Sequence, residues 1–290
     1  MSTLRPAPPT TTTQPKGDLA MTTQTRPTAY DIAAEPRRSV VTDTLTVLAR
    51  ELRPLLRDPF SVVFSLVQPL FFLALFGPLL SGNLGGGVPG GDVWQWFVPA
   101  ILVMTSLFGS SVVGSNLLYE MQTGAHERML VTPLSRSSLL VGRALKEIVT
   151  LVAQAALIVL VMLPFGFELF PVGAVLGLAL LGVLGVGLGS LSYALAIAVR
   201  KQDWMFWVVQ QTVLFPLMIL SGMLLPLDGG PGWMRALSNV NPLTYVVEAE
   251  RALFAGDLVN SDVLWGAVAA GLTALVGLTM GIRAMRGSAG

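Results

Sequence analysis

The stretch Trp96–Leu118, WFVPAILVMTSLFGSSVVGSNLL, carries no charged side chain, and it runs straight into Tyr119–Arg136, YEMQTGAHERMLVTPLSR, where Glu120, His126, Glu127, Arg128 and Arg136 gather. As a helix, an apolar run of this length covers the hydrocarbon thickness of a bilayer, so Leu118 reads as the point where the chain leaves the membrane. Working outward, similar runs occur at Phe60–Leu80, Ile148–Phe165, Val172–Val199, Phe206–Leu227 and Val263–Ile282. The third span, closed by Pro164, is the shortest, and the fourth is long enough to require tilt. Of the eighteen Lys and Arg residues, all but Arg235 and Arg251 lie in alternate gaps between the runs, whereas Asp92, Glu168, Asp228 and Asp257 fall in the others. Basic residues flanking spans stay on the cytoplasmic side, so both termini are expected there. Trp94, Trp96, Trp204, Trp207 and Trp265 stand at or near span ends, as interfacial anchors do. The fold class is an all-α polytopic membrane protein with six transmembrane helices.

Composition agrees. Apolar residues make up 53% of the chain and charged residues 12%. That is about half the charge of an average soluble domain. A net charge of +1 gives no nucleic-acid signal, and no nucleic-acid partner is expected. The absence of Cys removes disulfides, thiolate metal sites and thiol nucleophiles.

Residues 1–40 are rich in Pro and Thr without apolar periodicity, and a disordered cytoplasmic tail is expected. Met1–Val40 holds no apolar run long enough for a signal-peptide core, so the first span is expected to direct insertion, and Met21 is an alternative start. Over 41–58, the segment Asp43–Asp58 places Leu45, Leu48, Leu52, Leu55 and Leu56 on one helical face and Arg50, Arg53 and Arg57 on the other. Such a helix is expected in the membrane interface, leucines toward the acyl chains and guanidinium groups among lipid phosphates, with Pro54 bending it toward the first span; the alternative is a solvated helix packing on a soluble partner. Residues 59–290 form the six-span domain.

Within those limits the spans contain no Asp, Glu, Lys, Arg or His. Ion-coupled transport ordinarily needs a titratable group or ion ligand at membrane depth, so a driving force would have to enter from outside the bilayer. Gln68, Asn116, Gln154, Gln210 and Gln211 are the amide side chains in the spans. They suit hydrogen bonds between helices, or polar contacts along a path for a crossing molecule. Small residues recur at four-residue spacing, as Ser106, Ser110 and Gly114, then Gly173, Gly177, Gly185 and Gly189, then Gly277 and Gly281, which favours close packing of helices within one chain.

Catalytic patterns fail. His126-Glu127 begins like a zinc-protease helix, yet Leu130 stands where a second His would ligate, and the chain has one His. Ser106, Ser190 and Ser221 have no base in reach. Gly185–Gly189 looks like part of a dinucleotide fingerprint but sits inside an apolar span. No Gly-Lys precedes Ser or Thr, so no phosphate-binding loop exists here.

In the gap after the second span, Gly124 permits a sharp turn, Ala125–Val131 supplies about two helical turns, Thr132-Pro133 ends them, and Ser135 can cap the next helix. Met129 and Leu130 beside Glu127 and Arg128 make a surface suited to docking on another protein. Beyond the fifth span, Glu248 and Arg251 stand three apart on an expected helix, where pairing would neutralise charge in an apolar setting.

These residues resemble type-2 ATP-binding-cassette transporter permeases, particularly the daunorubicin-resistance export branch, from about Thr44 to the C-terminus. The resemblance rests on Gly124, Glu127, Arg128, Leu130, Thr132, Pro133, Ser135 and Arg136 in the loop. A second set follows: Phe215-Pro216, Ser221-Gly222, Pro226, Trp233, Asn241-Pro242-Leu243-Thr244-Tyr245 and Arg251. His126 and Glu248 depart from the usual pattern. The resemblance implies a dimeric permease whose second subunit is identical or related, with an interfacial elbow helix at Asp43–Asp58, a cytoplasmic coupling helix at Ala125–Val131, and short outer helices re-entering the membrane between Gly232 and Phe254, Pro242 and Tyr245 among them. It implies that ATP and Mg are bound by two separate ATPase subunits, with no cofactor on this chain. Glu127 and Arg128 would supply polar contacts to the ATPase, Met129 and Leu130 an apolar plug. An uncharged path suits amphipathic or lipid-like substrates, exported from a bacterial cell membrane. Two alternatives stay open: a secondary transporter driven by an ion gradient, and a membrane enzyme or assembly scaffold.

Overall fold

A computed structural model describes residues 45–49, 52, 53, 57, 59–83, 92–124, 136–227 and 229–287. These are helices and short connections, with no strand among the described residues. In order they are α1 (Pro59–Ser65), α2 (Val67–Asn83), α3 (Val93–Gln122), α4 (Arg136–Met162), α5 (Pro171–Ala198), α6 (Asp203–Leu220), α7 (Gly232–Ser238), α8 (Pro242–Phe254) and α9 (Ser261–Gly287). Among the described residues six segments are long and apolar enough to cross a membrane: Val63–Gly82, Val93–Gln122, Leu145–Phe165, Pro171–Ala198, Asp203–Leu220 and Ser261–Arg286. The chain is an all-α, six-span membrane protein.

The centre of the bundle is α3, where Phe97, Val98, Ala100, Ile101, Val103 and Leu107 are fully buried. On one side α3 packs along α5, and α5 packs along α9. Glycine sets these distances. A Cβ on Gly187 would lie 2.7 Å from the Ala274 nitrogen, a Cβ on Gly277 would collide with the Gly187 carbonyl, and a Cβ on Gly114 would fall 2.6 Å from the Ser192 carbonyl. Between membrane helices there is little hydrophobic drive, so close backbone approach supplies the attraction. Gly114, Gly173, Gly177, Gly277 and Gly281 of the four-spaced pattern thus serve packing within the chain. The closest α5–α9 approach is made by Gly187 instead of Gly185 or Gly189.

Several expected boundaries move. The first span is broken at Leu66, because Pro69 offers no N–H to the Ser65 carbonyl and its ring crowds that turn. The fifth helix stops at Leu220, short of the expected Leu227. Gly222 adopts a left-handed φ of 70°, and Ser221 turns its hydroxyl back onto the Met218 carbonyl at 2.7 Å. A left-handed residue just past the last turn ends a helix in this way. At 18 residues it is the shortest span, and the third, with its helix beginning at Arg136, is not. By these limits charged residues, which the shorter sequence limits exclude, fall at the span ends: Lys146 and Glu147, 3.4 Å apart, in the third, Glu120 in the second, Asp203 in the fifth, and Asp262, Arg283 and Arg286 in the sixth.

Residues 45–49, 52, 53 and 57 of the amphipathic segment are helical, with Arg53 and Arg57 exposed. Leu45, expected toward the acyl chains, is 57% exposed at the protein surface, and Val47 is buried against the protein. Arg50, Leu55 and Leu56 lie outside the described residues, as do the tail 1–40 and the coupling residues Glu127, Arg128, Met129, Leu130, Thr132 and Pro133.

Candidate functional site

Four of the five amide side chains singled out in the spans meet at one cavity. Gln68, Gln154, Gln210 and Gln211 line a space of about 410 Å³ together with Thr105, Ser111, Phe108, Trp207 and Phe215. The walls come from α1, α2, α3, α4 and α6, and the break at Leu66 lets Ser65 turn inward, where its hydroxyl accepts a 2.7 Å bond from Gln154 Nε2. At about 1.5 Å per residue, Gln154 lies about 16 Å along its helix from Phe165, Gln210 about 15 Å from Leu220, and Thr105 about 18 Å from Val93. The cavity therefore sits near mid-depth. Asn116 is exposed and lies outside it.

The lining is neutral. Thr105 spends its hydroxyl on the Ile101 carbonyl at 2.8 Å, and Gln210 donates to Ser192 Oγ at 3.4 Å while its Oε1 has no partner. Phe108 and Phe215 stand edge to face with centroids 6.4 Å apart. Amide groups on an aromatic wall can bind a large polar, uncharged molecule by stacking and hydrogen bonds.

At one end of the bundle, α7 and α8 form a cap tied to the spans. Asn241 caps α8 by accepting from the Leu243 N–H at 3.0 Å and donates Nδ2–H to the Leu217 carbonyl at 2.7 Å, while the Thr244 hydroxyl reaches the Leu220 carbonyl at 3.4 Å. These satisfy carbonyls that the end of α6 leaves without helical partners. Pro242 occupies the first turn of α8, where its missing N–H costs nothing. Arg251 donates to Glu248 at 2.7 Å, to the Trp96 carbonyl at 3.1 Å and to the Gly222 carbonyl at 3.0 Å, with its guanidinium 3.8 Å over the Trp96 ring. The expected Glu248–Arg251 pair is present, with Arg251 buried and Glu248 about half exposed. Burial lowers Arg251 to about 10 and the Glu248 carboxylate opposes that shift, so the side chain is cationic at neutral pH. Tyr245 donates its hydroxyl to the Asn239 carbonyl at 2.7 Å, and Gln95 donates to the Phe254 carbonyl at 2.6 Å.

Glu250 was missed by the sequence reading. It is fully buried in the cap, and burial pushes its carboxyl, which lies outside the six spans, up to about 8. The signal was present: Leu243, Val246, Val247, Glu250, Leu253 and Phe254 follow helical spacing and are all buried, so the charge-bearing residue occupies an apolar position.

At the opposite end, α3 closes on Thr123, whose hydroxyl returns to the Tyr119 carbonyl at 3.0 Å, and Gly124 takes the left-handed φ of 67° that turns the chain into the following loop. One residue earlier, Gln122 donates to the Asp203 carboxylate in the first turn of α6. That bond joins the start of the loop to the helix carrying Trp207, Gln210 and Gln211.

Residues 42–255 match the family model described as ABC-2 type transporter. The ycf38 protein of Cyanophora paradoxa, named a transport permease, is 32% identical over 206 residues, which cover 68% of this chain and 69% of that protein. The daunorubicin resistance ABC transporter permease protein DrrB1 of Streptomyces coeruleorubidus is 27% identical over 245 residues, 82% of this chain and 84% of its own length. DrrC of Mycobacterium tuberculosis, named a doxorubicin resistance ABC transporter permease protein, is 27% identical over 258 residues, 88% and 90% of the two chains.

Proposed function

The chain belongs to the ABC-2 type transporter family, and from that premise we propose that it is the permease subunit of an ATP-driven exporter. It moves amphipathic or lipid-like molecules outward from the cytoplasm or inner leaflet. ATP and Mg sit on two separate ATPase subunits, and the cap faces the exterior of the cell membrane. A second permease subunit covers the exposed apolar faces of α1, α2 and α6.

The observation that carries this reading is the cavity formed by Gln68, Gln154, Gln210 and Gln211. Its aromatic and amide lining selects by shape, stacking and neutral hydrogen bonds, and among the described residues no ionisable group lines it to couple an ion gradient to the cargo. Energy then has to arrive mechanically. Glu127, Arg128, Met129 and Leu130, held between Gly124 and Thr132-Pro133, form the contact with the ATPase, and closure of the ATPase pair pushes them. The Gln122–Asp203 bond supports a route from that loop into α6 and so to the cavity wall, a rigid-body shift of the hinge-and-shear kind.

Copurification tests the reading. A tagged chain should retain a soluble ATPase with a phosphate-binding loop, and Glu127→Ala with Arg128→Ala should leave insertion intact while separating ATP hydrolysis from export. Recovery of no such ATPase, with export persisting after ATP depletion, would rule the proposal out.

A further inference from the structure

Among the described residues Glu250 is a carboxylate with 0% exposure, and neither of its oxygens meets a hydrogen-bond donor. A desolvated, partnerless carboxylate is costly when ionised, whereas the neutral acid is not. Its seat is built. An added Cβ on Gly177 would lie 2.5 Å from Glu250 Oε2 and 2.9 Å from the Phe254 ring, so glycine makes the notch that receives the carboxyl. One helical turn earlier, Gly173 admits the Leu253 carbonyl in the same way.

No described counter-charge is engaged with it. On α8, Arg251 is directed at Glu248 and at the Trp96 and Gly222 carbonyls, and the Tyr245 hydroxyl at Asn239. Along α5 there is no Asp, Glu, Lys, Arg or His, and Tyr193 lies toward its other end. Helix α3 offers Asp92 at its cap, where it holds the Trp94 N–H, and Glu120 near its far end. Helix α9 has Asp262 in its first turn, with Arg283 and Arg286 at the far end; α6 carries Asp203 at its far end, and the connection before α5, where Phe167 meets Phe254, carries Glu168.

We propose that Glu250 is a proton-binding site that latches the cap: its carboxyl sits neutral in the Gly177 notch while α8 packs on α5, and it releases H⁺ to water on the cap side when α8 lifts away. The acid becomes a carboxylate plus one proton, and the same side returns the proton when the cap closes. Because the proton enters and leaves on one side, the site sets how readily the cap opens and carries no net charge across the membrane. The inference goes beyond the export reading, and its test requires neither ATPase nor substrate.

The direction follows from linkage. Burial raises the carboxyl from 4.5 to about 8, so the packed cap holds its full proton-linked stability below the ordinary carboxylate range and loses it as pH rises through about 8. Within that window the opening equilibrium grows by up to about tenfold per pH unit.

The full chain in lipid nanodiscs, with Glu250→Gln as the permanently neutral comparison, provides the experiment. Infrared spectra should show a protonated-carboxyl band at neutral pH that fades near pH 8 and is missing from E250Q. Amide hydrogen exchange over Pro242–Phe254 should rise with pH more steeply in the wild-type chain, by up to about tenfold per unit after normalisation to E250Q. A spectrum with no such band at neutral pH, or exchange curves that superimpose, would overturn the proposal. If E250Q does not insert, the titration of the wild-type band alone decides.

Discussion

In the cap, Arg251 reaches three acceptors and an aromatic face, and Asn241, Thr244, Tyr245 and Gln95 each end on a backbone carbonyl. Glu250 is the exception there, both of its carboxyl oxygens lacking a partner, and around the cavity Gln210 Oε1 likewise reaches none. The second span, which holds the cap through Trp96 and also brings Thr105, Phe108 and Ser111 to the cavity, is 78% buried, whereas the first and fifth, which complete the cavity wall, are 28% and 22% buried. One region is thus tied together mainly by its own side chains, and the other keeps exposed apolar and amide surface. A closure that must open and shut reproducibly needs redundant geometry. A binding wall that accepts varied apolar molecules needs unspent surface.

Substitutions can break this contrast, beginning with the seam on which both regions lean. Gly277→Leu has no space against the Gly187 carbonyl and should abolish folded protein in a detergent thermal-melt assay. Gly271→Ala, with open space around it, should be neutral or raise stability by up to about 1 kcal/mol. Arg251→Met removes charged hydrogen bonds to two carbonyls and should cost about 2–4 kcal/mol by the same assay, with cavity binding retained. In the cavity the pattern reverses. Gln210→Leu should leave the melt unchanged or improved, since it removes an unpartnered acceptor, yet weaken binding of a fluorescent amphipathic substrate by about tenfold. Smaller still, Asp203→Asn should cost under about 1 kcal/mol of stability while lowering substrate moved per ATP hydrolysed. Tyr245→Phe loses an exposed hydrogen bond and should cost about 0.5 kcal/mol, the least of the destabilising changes.

Much of the architecture was legible in the chain because bilayer length and charge sidedness are strong, additive signals. The six spans and the Glu248–Arg251 pair follow from local rules. Boundaries were harder where apolar composition continues past a structural stop. Met223, Leu224 and Leu225 extend the hydrophobic run beyond the turn that Ser221 and Gly222 impose. The break at Leu66 arises three residues before the proline that causes it. That four glutamines from separate spans would share a cavity while Asn116 would not is a tertiary fact, set by helix rotation and packing. Glu250 could have been located from the helical spacing of its apolar neighbours. Span limits give its charge no weight, because α8 falls outside them.

The most direct measurement is uptake of a fluorescent amphipathic dye into inside-out vesicles that contain the chain and its copurified ATPase, after the proton gradient has been collapsed. Uptake should continue under those conditions, require hydrolysable ATP, and weaken when Gln154 and Gln211 are both changed to Leu. Uptake that proceeds without ATP and halts when the gradient is removed would contradict a permease driven from its cytoplasmic side.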